Sequence, residues 1–155
     1  MDYHKYALAL VKNERKYNMK NKNKCTRIGE IYQIKFTGHG NVQRGWRPGI
    51  IIQNDMGNKY SPNVIALPLT SVIKKEDLPT HVYLPSDIGL KLDSMVLCEN
   101  PETISKEDIG DFITNVPASY MVRIAEAFMC SIPIISYLNE HEITKVWLKT
   151  SELVL

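Results

Sequence analysis

Residues 47–70 read RPGIIIQNDMGNKYSPNVIALPLT, two apolar runs on either side of one polar, turn-forming segment. The first run is apolar at consecutive positions, the pattern of a strand buried on both faces. Gly, Asn, Ser and Pro in DMGNKYSP predict a turn, so the two runs should fold back as an antiparallel hairpin. Counting outward from the middle of that turn, between Asn58 and Lys59, sets Arg47 opposite Thr70. Pro68 lies inside the second run and predicts an edge strand or a bulge there. A hairpin of this kind needs partners on both sides.

Those partners are legible. EIYQIKF alternates apolar and polar residues, and TGHGNVQRGW before PGIIIQN is a glycine-punctuated loop. THVYLP and SMVLCEN complete a set of five predicted strands. After PETISKEDIGD, residues 117–138 predict a helix: Pro117 suits a first turn, and Met121, Ile124, Ala125 and Phe128 recur at helical spacing. Pro133 should kink or end it. Strands first and a helix last predict a mainly β, α+β fold, a strongly curved antiparallel sheet or small barrel with a helix against it. Residues 3–17 predict a short helix and NMKNKNKC a linker, so the compact domain should span 28–138, between a basic extension, 1–27, and a C-terminal extension, 139–155. Trp147 in that last segment is expected to pack against something.

Charge is unevenly spread. Residues 1–27 carry eight Lys and Arg against Asp2 and Glu14, so a net charge of +2 divides into +6 on this arm and −4 on the remainder. Such an arm suits a nucleic-acid contact or simple solvation. Cys25, Cys98 and Cys130 are odd in number and without Cys-x-x-Cys spacing, which predicts reduced thiols. No apolar run reaches the roughly 18 residues of a membrane span, and MDYHKYALALVKNERKY lacks the form of a secretory signal, so a cytoplasmic protein without membrane contact is expected. There is no His-x-His, Glu-x-x-His or dense carboxylate motif for a metal, no G-x-S-x-G elbow and no Walker loop; no cofactor is expected.

An arginine beside a hydroxyl at an open strand end is a plausible phosphate clamp, since guanidinium offers a planar fork of permanent donors. Spacing alone favours instead an arginine paired with Glu99 or another carboxylate on a solvated rim. Without a metal, phosphodiester cleavage is easiest when the substrate brings its own nucleophile, as RNA does with its 2′-OH.

In GEIYQIKF, RPGIIIQND, LPLTS, LPTHV, DSMVLCEN and TISKEDI, in that order from about Gly29 to Leu138, the chain resembles the MazF/PemK/Kid family of toxin–antitoxin endoribonucleases, most of all its Gram-positive MazF-like branch. The resemblance implies an SH3-like, MazF/CcdB-like barrel that acts as a homodimer and cuts single-stranded RNA without metal, leaving 2′,3′-cyclic phosphate and 5′-OH ends. It implies catalytic roles for Arg47 and Thr70 and RNA contacts from Gln43 in the loop 41–45, Asn54, Leu78, His81, Glu99 and Asn100. It further implies a cognate MazE-like antitoxin whose tail occludes the RNA groove, and a toxin–antitoxin complex able to bind operator DNA. Two positions depart from the family: Val42 stands where an acid is common, and Glu102 where an arginine is common. A non-catalytic module on the same fold, binding RNA or a protein target such as a topoisomerase, is the rival these departures leave open.

Overall fold

The computed structural model describes residues 25–40 and 42–152. The helix expected over 3–17, nearly all of the linker, most of the basic arm and Asn41 lie outside the described residues. Seven strands form one bent antiparallel sheet: β1 (Glu30–Phe36), β2 (Gly45–Ile51), β3 (Asn63–Thr70), β4 (His81–Leu84), β5 (Ser94–Leu97), β6 (Glu102–Ser105) and β7 (Ile109–Asn115). Helix α1 (Asp55–Tyr60) joins β2 to β3, and α2 (Ala118–Ser131) and α3 (Glu140–Glu152) follow the sheet. Among the described strands the order is β4-β5-β3-β2-β1-β7, with β6 on the first half of β3. The outer strands β4 and β7 are not paired, so the curved sheet stops short of a closed barrel.

The consecutive isoleucines of β2 are each fully buried, in different cores. Successive side chains of a strand point to opposite faces. Ile50 joins Ile31, Leu67, Leu84, Val96 and Ile124 under helix α2. Ile51 joins Ile34, Phe36, Val64, Ala66 and Ile104 on the other face. Gly49 completes the fit. A Cβ there would lie 2.7 Å from Phe36 Cζ and 2.9 Å from Ile34 Cδ1, so β1 closes over β2 only because position 49 has no side chain.

Several boundaries differ from the sequence reading. The segment after β2 is a helix rather than an open turn: Asn54 Oδ1 accepts from Gly57 N at 2.8 Å and caps α1. β2 begins at Gly45, within the stretch read as loop, because β1 pairs with it back to Gly45. Two strands, β6 and β7, went unread; their apolar residues are few, and partners distant in sequence supply the pairing. Pro68 is in a central strand, not an edge. It sits where β3 leaves β2 for β5, so the missing N–H falls at the change of partner.

The predicted 117–138 helix is broken as Pro133 requires. α2 ends at Ser131, and a 3₁₀ turn, Pro133–Tyr137, follows. α3 starts at a capping box in which Asn139 Oδ1 accepts from Glu142 N and Asn139 N donates to Glu142 Oε2, both at 3.0 Å. Trp147 is 72% exposed and lines an apolar groove with Val122, Ala125 and Met129, so it packs only partly. The three cysteines are free, and burial pushes the Cys98 thiol up to about 12. No helix among the described residues is long and apolar enough to cross a membrane.

Candidate active site

The hairpin register is the one counted from the turn. Gly49 pairs with Pro68, Ile50 with Leu67 and Ile51 with Ala66, a ladder that sets Arg47 opposite Thr70 two residues further on. The strands part before reaching that pair. Arg47 stays on β1, opposite Ile34, while Thr70 swings to β5, opposite Met95. A cleft of about 580 Å³ opens at this fork, and both residues line it together with Gln33, Gln43, Ser71 and Lys91. Each is held by a ladder on its far side, so the fork fixes the backbone beneath both functional groups.

The approach loop orients the arginine. Gly38, at φ +35°, lets this loop fold back on itself; a Cβ there would lie 2.3 Å from the carbonyl oxygen of Gln43. Gln43 Oε1 then accepts from Arg47 Nη1, and the Arg44 carbonyl accepts from Nη2 at 2.8 Å. Arg47 Nε is buried with no hydrogen-bond partner. Burial draws the guanidinium pKa below its ordinary value, since desolvation disfavours the cation. It remains charged at any working pH. The result is an oriented, partly desolvated cation with donor capacity to spare, which suits an incoming anion. Thr70 Oγ1 accepts from Val72 N at 3.1 Å, which leaves its own hydrogen free to donate.

The rim pairing with Glu99 does not form. Glu99 Oε1 lies 3.0 Å from His81 Nε2, while His81 Nδ1 faces the Lys75 carbonyl at 3.2 Å. Both partners are acceptors, so both bonds form together only when both ring nitrogens carry hydrogen. Glu99 and Asn100 line a second pocket with Val42 and Glu102. Thus Arg47, Thr70 and Gln43 share one cleft, Glu99 and Asn100 line its neighbour, and His81 stands behind Glu99. Leu78 and Asn54 join neither. Leu78 builds the turn before β4, where its carbonyl accepts from His81 N at 3.0 Å, and Asn54 is the helix cap. Sequence reasoning passed over Gln33, Ser71 and Lys91. Ser71 adjoins Thr70 in LPLTS, whereas Lys91 sits in a connection without any motif and reaches the cleft only through the fold.

The chain is similar to several known proteins. The family described as PemK-like, MazF-like toxin of type II toxin–antitoxin system matches residues 27–132. Endoribonuclease EndoA of Bacillus subtilis is 38% identical over 99 residues, covering 63% of this chain and 85% of the relative. Endoribonuclease MazF of Staphylococcus epidermidis is 37% identical over 108 residues, covering 68% of this chain and 90% of the relative. Among solved structures, a mycobacterial endoribonuclease in complex with its cognate antitoxin superposes with a TM-score of 0.59 at 25% identity, covering 70% of this chain and 96% of that one.

Proposed function

The chain belongs to the PemK-like, MazF-like toxins of type II toxin–antitoxin systems, and from that premise we propose that it is an endoribonuclease that cuts single-stranded RNA at the Arg47–Thr70 cleft. The observation that carries the proposal is the convergence of these two side chains, from diverging strands, on one cavity. The ribose 2′-oxygen attacks the adjacent phosphorus and the bond from phosphorus to the 5′-oxygen breaks. The 2′ proton is given up to a base, and the departing 5′-oxygen takes one. The products are a 2′,3′-cyclic phosphate and a 5′-hydroxyl. Arg47 stabilises charge on the non-bridging oxygens of the crowded phosphorus, and Thr70 donates to the same phosphate. Gln43 keeps the guanidinium aimed, and Lys91 adds positive potential on the far wall.

Activity on this reading resides in residues 28–138, with 1–27 and 139–155 as extensions. The antitoxin-bound mycobacterial structure supports a toxin held in check by a cognate, MazE-like antitoxin; a cytoplasmic location, a homodimer and binding of operator DNA by the toxin–antitoxin pair complete the reading. The test is incubation of the purified protein with long single-stranded RNA in EDTA. Discrete cuts ending in cyclic phosphate and lost on Arg47→Ala are expected; intact RNA at high protein excess overturns the proposal.

A further inference from the structure

Helix α2 is apolar on two sides. Ile124 and Ala127 are buried in the core beneath it, while Val122, Ala125 and Met129 recur on the outward side and line a groove with Trp147 of α3. The groove encloses about 720 Å³, and Glu126 is the one charged residue in its lining among the described residues. Trp147 is 72% exposed and Val122 59%. Among the described residues of α3 only Trp147 reaches the groove, so α3 covers one edge and leaves the rest open. A second apolar face on a helix calls for a second partner, because leaving it in water costs free energy.

The place where the described chain begins identifies that partner. Gly29 lies against the groove wall: a Cβ at position 29 would sit 3.5 Å from Met121 Sδ, and Met121 lines the groove. The chain therefore enters the domain at the groove's edge. Upstream, Tyr3, Tyr6, Ala7, Leu10 and Val11 follow the i, i+3, i+4, i+7, i+8 spacing of one helix face, and Lys5, Lys12 and Lys16 fall on the opposite face. At 1.5 Å per residue a helix over 3–17 is about 22 Å long, and the 14 residues of α2 give about 21 Å. Residues 17 to 29 span up to about 40 Å when extended, enough to lay such a helix along α2 in either direction. Its cations suit a groove whose charged residue is an acid.

We propose that residues 3–17 dock as an amphipathic helix in the α2–α3 groove of their own chain, with Leu10 and its apolar neighbours against Val122, Met129 and Trp147. The tether favours the chain's own segment over that of a second copy, since a short linker holds it at an effective concentration in the millimolar range. Docking completes the packing of Trp147 and makes the two extensions one helical layer over α2. The inference is independent of the ribonuclease reading.

Cys130 supplies the test, as a free thiol in the groove lining. In the full chain carrying Cys25→Ser, with Cys98 buried, reaction with an aromatic disulfide reagent reports on Cys130. Leu10→Glu places a charge on the docking face and should speed that reaction at least about tenfold, the ratio that corresponds to about 1.4 kcal/mol of docking. Val122→Glu, at an exposed position of the facing wall, should release the thiol to the same degree and serves as the second variant. Equal rates in the parent and both variants overturn the inference. Protection that fades when the parent is diluted assigns the groove to a second copy and overturns it as well; protection independent of concentration and lost in both variants supports it.

Discussion

Gln43 Oε1 accepts a hydrogen bond from Arg47 Nη1 across four residues of chain, so the loop that leads into β2 sets the direction of the guanidinium. Deleting the cation should therefore cost more than loosening it. Arg47→Ala is expected to lower the single-turnover cleavage rate on a defined RNA by about 10²–10³, the effect of losing a preorganised donor to a developing anion. Arg47→Lys should recover little, because an ammonium lacks the planar fork. Gln43→Leu should cost about tenfold, chiefly in kcat, since the charge remains while its alignment is lost.

Thr70 acts through one hydroxyl. A hydrogen bond to a charged group contributes about 1.5–3 kcal/mol, so Thr70→Val should slow cleavage by about ten- to hundredfold. Thr70→Ser should retain most of the rate. Thermal melts of both variants should stay near wild type, because the bond lost in the fold, from Val72 N, lies at the surface.

Asn54 separates a structural role from an RNA-binding one. Asn54→Ala removes the cap on α1 and should lower stability by about 1 kcal/mol, read from the midpoint of urea unfolding. Cleavage of the same RNA should be unchanged, since Asn54 lines neither cavity. A cleavage defect without loss of stability would return this residue to the RNA surface.

Gly49→Ala tests the closeness of β1 and β2. The added methyl meets Phe36 and Ile34 in the buried core and should destabilise by about 1–3 kcal/mol, visible as a lower melting temperature.

Asp93 predicts a pH dependence. Its carboxylate accepts from the Tyr83 hydroxyl and from Ser86 N, each at 2.7 Å, and these bonds hold it below the usual carboxylate range. A carboxyl group depressed on folding contributes stability above its unfolded pKa, and that contribution is lost as pH falls through the folded value. Stability measured by urea titration should thus decline below about pH 4, the ordinary range of an aspartate. In Asp93→Asn the decline should be shallower.

Much of this protein was open to inspection as a string of letters. The strand EIYQIKF is β1 residue for residue, the paired isoleucines announced a strand buried on both faces, and Pro133 ended its helix. These features depend on local periodicity and fixed backbone rules, which sequence carries directly. Even the register of the β2–β3 hairpin followed from the turn, because the ladder pairs stay centred between Asn58 and Lys59 although α1 fills part of the connection. The Asn139–Glu142 capping box was present in the sequence too, and was a start signal passed over.

What sequence alone determined was five of the strands and helix α2, the opposition of Arg47 to Thr70 and, through several short blocks, the family. Only the tertiary structure decided that this opposed pair is not a ladder pair. β3 gives up β2 after Pro68 and takes β5, a partner more than twenty residues away, and the cleft exists because of that exchange. The same folding separated Asn54 and Leu78 from the site, brought in Lys91 and paired Glu99 with His81. Cavities and ion pairs are made between segments remote in the chain, so their geometry is set by long-range packing rather than by any local pattern.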